Sequence, residues 1–308
     1  MLRGRQCVLA GDDKQLPPFD LYNVKVDEEE DPFLEDPIAL EVESILDLAR
    51  NKFRQCKLSW HYRSSERELI NFSNHAFYES RLNVVPPAHH EPISIPPISF
   101  VKVDGIWERN SNLIEAQKVV QLVEELVQHP DNPTIGVVTF NYHQKELVRT
   151  LLEERLEQLR QAQDQEGLSR LFRAMEREEG EERQGIFVKN IENVQGDERD
   201  VMIFSVGYAR NPAGKMVANF GLLNQKGGGN RLNVAITRAK KKKIIVSSIE
   251  PDELSVEGAK HEGPKLLKQY LQYARALSRG DSESVTTILG QLRQMPVSVG
   301  GIEAANTA

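Results

Sequence analysis

The chain has 308 residues, of which 39% are hydrophobic and 28% charged, a composition typical of globular proteins with one large or two ordinary domains. The formal net charge of −7 argues against a protein that coats nucleic acid by bulk electrostatics, because such domains are usually strongly basic. Two isolated cysteines fit a reducing compartment, and no apolar run approaches the roughly 20 residues of a membrane span. We therefore expect a cytoplasmic protein without a membrane partner, whose contacts with nucleic acid are local.

The first predicted element is a short buried strand in "RQCVLAGDD", which begins almost at Met1. Because a parallel strand needs neighbours on both sides, we expect the chain to continue a longer protein. After an acidic loop at residues 27–36, apolar residues recur at helical spacing in 37–49 and 66–78, which predicts two helices. The proline-rich connector at 84–97 has two histidines without further ligands, so we predict no metal site there.

Strands and helices alternate along the rest of the chain. Helices are predicted at 115–128 and from His143 onward, and strands at 98–103, 134–140, "GIFVKN", 200–206 and "KIIVSSI". This alternation predicts a mostly parallel, three-layer α/β sheet. We expect the charged residues 144–183 to form a largely solvated helical excursion. One more amphipathic helix is predicted in "LLKQYLQYARALSRGD", before a loose tail.

Four polar stretches lie where packing alone would not place them. The first, "GDDKQLPP" (11–18), follows the predicted first strand, and open α/β sheets bind ligands beyond the carboxyl ends of their strands. Asp12 and Gln15 could there sense a nucleotide phosphate or orient its attacking water. A capped Gly-Asp turn explains this stretch at least as well.

The second stretch is "LSWHYRSSERELI" (58–70). Ser64 or Ser65 can cap the helix that follows, but Arg63 has no such explanation. Together with Tyr62, Arg63 would offer a fork for phosphate and a flat face for a base.

The third stretch is "NVQGDERDVMIFSV" (193–206). Gly196 allows a close backbone approach, while Gln195, Asp197 and Glu198 offer acceptors for ribose hydroxyls or for partners across a cleft. These acids precede their strand, whereas the magnesium-binding acids of nucleotide hydrolases follow theirs. We therefore predict no metal site here.

The fourth stretch is "RLNVAITRAKKKK", which fits a short helix followed by a strand. Arg231 and Arg238 are seven residues apart, so a helix would carry both on one face. Arg238 could then reach a γ-phosphate. We expect Lys240 to Lys243 to form a solvated entrance to the strand.

In this order, "GDDKQLPP", "WHYRS", "VQGDERD" and "RLNVAITRA" resemble motifs III, IV, V and VI of superfamily 1 helicases, in the branch of the nonsense-mediated-decay helicase. Residues 187–239 are especially similar to large bacterial multidomain members of that branch. The resemblance implies a RecA-like lobe of the P-loop NTPase type, with a remnant of a preceding lobe. It divides the chain into that remnant (1–50), the second RecA-like lobe (51–258), a helical segment (259–295) and a flexible tail (296–308).

The resemblance also implies catalytic roles for three residues. Gln15 would couple the γ-phosphate to nucleic-acid contacts. Arg63 and Arg238 would be two arginine fingers that act across the cleft between the lobes.

Two further groups of residues would bind ligands by the same resemblance. The nucleotide would contact Asp12, Gly196, Tyr62 near the adenine and Glu198 on the ribose. In "VVTFN", Thr139 and Asn141 match positions that grip the phosphate backbone of a nucleic-acid strand, and Gln195 is expected to contact the same strand.

The sequence departs from the family in one respect. A phosphate loop of the form GxxxxGK[ST] is absent, and "NQKGGGNR" does not supply one, nor is the acidic motif II present. The resemblance implies ATP with Mg²⁺ as cofactor and single-stranded nucleic acid, favoured as DNA, as partner. Because the phosphate loop and motif II are absent, we expect the Mg²⁺ ligands on a missing first lobe. The leading hypothesis is the carboxyl-terminal motor lobe of a 5′ to 3′ helicase. A non-catalytic module that binds nucleic acid or a partner is the alternative, and a nuclease is disfavoured because no carboxylate cluster is present.

Overall fold

The computed structural model describes residues 7–16, 45–50, 52–85, 96–180 and 182–293. The chain divides into two compact units, residues 1–59 and 60–308. The predicted acidic loop, the carboxyl-terminal tail and most of the first predicted helix lie outside the described residues.

In the first unit, the predicted opening strand is wrong for residues 7–13, which have no regular secondary structure. Val8 is 80% exposed, and the described residues of this unit include no strand that could pair with it. An apolar run without a partner strand leaves its backbone groups to water, so it does not become a sheet strand. The described helix of this unit is α1 (Ile45–Arg50).

The second unit confirms the predicted α/β alternation. Its helices are α2 (Glu68–Phe77), α3 (Leu113–Val127), α4 (Tyr142–Gln161), α5 (Gln165–Met175), α6 (Gly228–Ile236), α7 (Gly263–Ser278) and α8 (Ser282–Arg293). Its longer strands are β3 (Ile98–Lys102), β4 (Ile135–Thr139), β7 (Phe187–Asn190), β8 (Arg199–Ser205) and β11 (Ala239–Ser247). Two-residue strands complete the set: β1 (Trp60–His61), β2 (Asn83–Val84), β5 (Glu178–Glu179), β6 (Glu182–Arg183), β9 (Ala209–Arg210) and β10 (Met216–Val217).

The five longer strands form one parallel sheet in the order β3-β11-β8-β4-β7. Ile203 of β8 lies between Ile244 of β11 and Val137 of β4. These three side chains belong to a core shared with α3, α4 and α5, while α2 and α7 pack against β11 and β3. Burial on both faces explains why "DVMIFSV" reads as an uninterrupted apolar run.

The excursion at 144–183 is less solvated than predicted. It consists of α4, α5 and the short β5–β6 hairpin, and Val148, Leu152, Leu159 and Leu171 are buried in the core beside α3. The three on α4, Val148, Leu152 and Leu159, recur at intervals close to whole helical turns and form a narrow stripe that the surrounding charges conceal in the sequence. A further helix, α8, follows α7 and was not predicted separately.

The lysine run is not simply a solvated entrance, because β11 begins at Ala239 and includes all four lysines. Lys241 is exposed, whereas Lys243 is only 1% exposed. Its ammonium group donates to the Leu69 carbonyl at 2.6 Å and lies 5.6 Å from the Tyr270 ring centroid. Burial lowers the pKa of Lys243 to about 7.

We expect Lys243→Met to fold and to remove part of the pH dependence of stability. The folded-state pKa of Lys243, about 7, lies below the unfolded value of about 10.4, so the unfolded chain binds more protons between these pH values. Lys243 therefore makes the free energy of unfolding rise with pH in that window, and methionine cannot. Urea denaturation at pH 7 and pH 9.5 measures the difference. The exposed control Lys241→Met should keep the wild-type rise, and an unchanged rise in Lys243→Met would contradict the assignment.

Candidate nucleotide and nucleic-acid sites

Three of the four motif segments meet at the amino-terminal edge of the sheet. The Arg199 N–H donates to the Arg238 carbonyl at 3.2 Å, and the Ser65 N–H donates to the Lys240 carbonyl at 2.8 Å. Because β8 and β11 are parallel neighbours, the segments that precede them necessarily lie side by side. The stretch around Arg63, which precedes α2, is hydrogen-bonded to the same edge through Ser65. The motifs that resemble IV, V and VI are therefore contiguous in space.

Glu198 is the central carboxylate of this edge. It accepts from Arg63 Nε at 2.6 Å through one oxygen and pairs with Lys240 Nζ at 3.1 Å through the other. Burial opposes ionisation of Glu198, but the bonds from Arg63 and Lys240 outweigh it and lower its pKa. Glu198 was predicted to bond a ribose. Here both of its oxygens bind cationic side chains of the same lobe.

Arg238 lies deeper than Arg63, with 3% of its surface exposed. Its Nε donates to the Val234 carbonyl at 2.8 Å. Burial and, next, the charge of Arg63 lower the pKa of Arg238 to about 10, so the Arg238 guanidinium remains charged at pH 7. The effect of the Arg63 charge on Arg238 indicates that the two predicted fingers lie close together.

The predicted helical face shared by Arg231 and Arg238 is wrong. Helix α6 ends at Ile236, and the Thr237 hydroxyl donates to the carbonyls of Asn233 and Val234 at this end. A hydroxyl bonded back to the last turn competes with helix continuation. Arg238 therefore lies in the connection to β11, not on the helix.

Tyr62 is 86% exposed and lies between two inward-facing neighbours. Its ring is open to solvent, whereas the adjacent His61 is half-buried and bonded to Ser64 at 3.0 Å. Burial first, then the charges of Arg63 and Lys243, lower the pKa of His61 to about 4, so it is neutral at pH 7. The free face of Tyr62 beside Arg63 is what base stacking requires.

Gly196 occupies a tight turn just before β8. Its φ of +88° is in the left-handed region that favours glycine, and Asp197 N–H donates to the Val194 carbonyl at 3.3 Å to close the turn. Asp197 forms an ion pair with Lys189 at 2.6 Å, while Gln195 at the tip is exposed. The turn directs Gln195 toward solvent, next to the cluster that Glu198 forms with Arg63 and Lys240.

Thr139 and Asn141 lie at the opposite, carboxyl-terminal edge of the sheet. Thr139 is fully buried and its hydroxyl donates to the Asn141 carbonyl at 2.8 Å. The Asn141 side chain accepts from the Gln144 N–H at 2.8 Å and caps α4. The structure does not bring these residues to the arginine cluster. Their polar groups shape the β4–α4 turn, which presents the exposed Tyr142 to solvent.

In the first unit, Asp12 and Gln15 form a capped turn. The Asp12 carboxylate accepts from the Lys14 N–H and from Gln15 Nε2, both at 2.9 Å. This is the Gly-Asp turn that the sequence left open as an alternative, and it does not decide the role of Gln15 toward a phosphate.

A buried polar network at the carboxyl-terminal edge was not predicted. Glu115 is fully buried and accepts from the Gly207 N–H at 2.7 Å, the Ser205 hydroxyl at 3.0 Å and the Ser248 N–H at 2.7 Å. Burial raises the pKa of Glu115 to about 7 against these bonds. The spacing of Asn112 and Glu115, which matches a helix capping box, was the available signal.

Among the described residues, no group of three or more histidines, cysteines or acids could hold a metal ion, and no helix is long and apolar enough to cross a membrane. The described residues therefore do not fit a magnesium site.

The parallel α/β sheet, with three motif segments contiguous at its amino-terminal edge, matches the RecA-like lobe of a helicase. A family model described as "AAA domain" matches residues 42–250. The chain belongs to this family, within the superfamily 1 helicases of the branch that contains the nonsense-mediated-decay helicase.

Relatives in distant organisms carry helicase names. "Uncharacterized ATP-dependent helicase MG140" of Mycoplasma genitalium is 35% identical over 93% of this chain and 25% of its own length. "Uncharacterized ATP-dependent helicase MJ0104" of Methanocaldococcus jannaschii is 24% identical over 80% of this chain and 33% of its own length. "Putative helicase MOV-10" of Gallus gallus is 26% identical over 80% of this chain and 26% of its own length. The chain thus spans about a quarter to a third of these relatives.

Proposed function

We propose that this chain is the carboxyl-terminal motor lobe of an ATP-dependent helicase, which closes over a nucleotide held by a companion lobe. The observation that carries the proposal is the cluster of Arg63, Lys240 and Arg238 around Glu198. Arg63 and Lys240 form ion pairs with Glu198, and Arg238 lies close enough for the charges of Glu198 and Arg63 to act on it, so these four groups together are positive although the whole chain is acidic. A triphosphate is the ligand that such an edge would neutralise.

Glu198 gives the cluster a way to respond to ATP. Without nucleotide, it holds Arg63 in place and limits the desolvation cost of that guanidinium. A phosphate oxygen would compete with the Glu198 carboxylate for Arg63, and the freed carboxylate could then accept from a ribose hydroxyl. The exchange would occur only on closure, because the phosphates lie on the companion lobe.

In the closed state, the arginines would act on the transition state of γ-phosphoryl transfer. Arg63 and Arg238 would stabilise charge on the phosphoryl oxygens as water attacks, and Gln15 would orient that water. ATP would enter with Mg²⁺, which shields the phosphates and is assigned to the companion lobe. Asp12, Gly196 and Tyr62 would line the nucleotide, with Tyr62 on the adenine.

The strand would bind at the other edge of the sheet. Tyr142 is exposed at that edge, where Thr139 and Asn141 fix the turn at the start of α4. Gln195, exposed in the turn before β8, would contact the same strand from the side of the Glu198 cluster. Contacts made to the phosphate backbone carry little sequence information, so we expect binding without base specificity. Single-stranded DNA, movement from 5′ to 3′ and a cytoplasmic location are the finer parts of this proposal.

Reconstitution of ATP hydrolysis tests the division of labour between the lobes. We expect this chain alone to show no ATP turnover with single-stranded DNA, and turnover to appear when a fragment with the phosphate loop is added. Turnover by the chain alone would contradict the proposal. If the mixture binds DNA without turnover, the chain is instead a non-catalytic binding module. Unwinding of duplexes with a 5′ or a 3′ single-stranded tail then measures direction.

A further inference from the structure

Ser64 and Ser65 do not cap the helix that follows them. Helix α2 begins at Glu68, and its N-cap position is Arg67, which makes no side-chain cap bond. The serines bond instead to the start of β11, which directly follows Arg238. The Ser64 hydroxyl donates to the Ala239 carbonyl at 3.1 Å, and the Ser65 hydroxyl donates to the Lys240 carbonyl at 3.0 Å.

These bonds join two segments that are remote in sequence at the point where each carries its arginine. Ser64 directly follows Arg63, and Ala239 directly follows Arg238. The Arg199 N–H binds the Arg238 carbonyl from the other side. The start of β11 is therefore hydrogen-bonded to the segment of Arg63 on one side and to Arg199 on the other, and these bonds fix the backbone next to both arginines.

The two serines differ in their exposure to water. Ser64 is 3% exposed, whereas the bond made by the Ser65 hydroxyl is at the surface. Water competes with an exposed hydrogen bond, while a buried hydroxyl that loses its partner stays unsatisfied. The Ser64 hydroxyl also contacts His61 Nε2 at 3.0 Å, which fixes it from its own segment. Ser64 is thus the tighter of the two connections.

We infer that Ser64 is a positioning residue, whose hydroxyl bond to the Ala239 carbonyl keeps Arg63 and Arg238 at the spacing that phosphoryl transfer requires. This inference rests on the proposed function. Through this bond the two arginines move as one body when the lobes close, and neither has to be oriented separately. Misplacement of a catalytic group by about 1 Å can cost 10²-fold in rate, so a single buried bond can matter at this distance from the chemistry.

Steady-state ATP hydrolysis by the helicase with both lobes tests the inference. We expect Ser64→Ala to lower kcat about tenfold while KM for ATP stays within about twofold, because the loss is confined to the transition state. The matched control Ser65→Ala should leave kcat within about twofold. A merely structural role would lower the melting temperature without this separation of kcat from KM. Wild-type kcat in Ser64→Ala would overturn the inference.

Two further measurements make the result decisive. If Ser64→Ala does not fold, the pair Ser64→Thr and Ser64→Val differs only in the hydroxyl, and the same tenfold ratio in kcat is expected between them. Equal kcat values in the pair would overturn the inference. Arg63→Ala and Arg238→Ala separate it from the proposed function. If neither loses turnover, the proposed function fails, whereas if both do and Ser64→Ala does not, only the role of Ser64 fails.

Discussion

In the helicase with both lobes, Arg238→Ala is expected to lower kcat for ATP hydrolysis by about 10³-fold or more, while nucleotide affinity stays within a few-fold. Arg238 is bonded to the Val234 carbonyl and lies beside Arg63, so its guanidinium is already oriented before a nucleotide arrives. A preorganised charge acts mainly on the transition state, which affects kcat more than binding. Single-turnover hydrolysis together with binding of a fluorescent ATP analogue measures the two effects separately.

Because Arg238 is buried, Arg238→Ala also removes packed atoms, and the experiment needs controls that separate this loss from the loss of charge. Arg231→Ala removes a guanidinium from α6, outside the connection that carries Arg238, and should retain turnover within about threefold. Thermal unfolding of both variants detects any loss of structure from the cavity that truncation of the buried Arg238 leaves. Near wild-type turnover in a folded Arg238→Ala protein would show that Arg238 is not a finger, and equal losses in binding and rate would indicate a ground-state role.

Glu115→Ala is expected to lower the free energy of unfolding of this chain by about 2–4 kcal/mol. The change leaves the N–H groups of Gly207 and Ser248 buried without their carboxylate acceptor. Urea denaturation at pH 7 measures the loss. Glu125→Ala, on the exposed face of the same helix, should change stability by less than about 0.5 kcal/mol.

The pKa of Glu115 adds a dependence on pH. Its folded-state pKa, about 7, lies above the ordinary value of 4.5, so the stability that this shift contributes is present below pH 4.5 and is lost as pH rises through 7. Glu115→Gln cannot titrate and should therefore show a smaller fall in stability between pH 5 and pH 8 than the wild type. An identical fall in both proteins would mean that Glu115 is ionised throughout.

The strands of the central sheet were predictable because burial on both faces leaves an uninterrupted apolar run, as in β8 and in residues 244–246 of β11. The ends of elements were harder. Whether "RLNVAITRA" stays helical as far as Arg238 depends on where the Thr237 hydroxyl bonds, and periodicity does not contain that information. Lys243 illustrates a second limit, since its place inside the core depends on acceptors supplied by α2 and α7.

The same distinction applies to the candidate site, whose residues were predictable but whose contacts were not. Arg63, Glu198 and Arg238 could be named as candidates because packing alone does not explain charged side chains beside buried strands. Their ion pairs could not, since Arg63 and Glu198 are far apart in sequence and meet only through the strand order of the sheet. For Ser64 the sequence suggests a helix cap, and only the folded chain shows that its hydroxyl binds the Ala239 carbonyl.

Strand β8 begins at the arginine cluster and ends at the Glu115 network. Its seven residues span about 23 Å, and neighbours are hydrogen-bonded to it on both sides. An extended strand held in this way resists both stretching and bending. In the proposed motor, a displacement of the edge that carries the arginines would therefore reach the far edge with little loss. The step length of that motor would then depend on how far the whole lobe rotates and not on deformation inside the lobe.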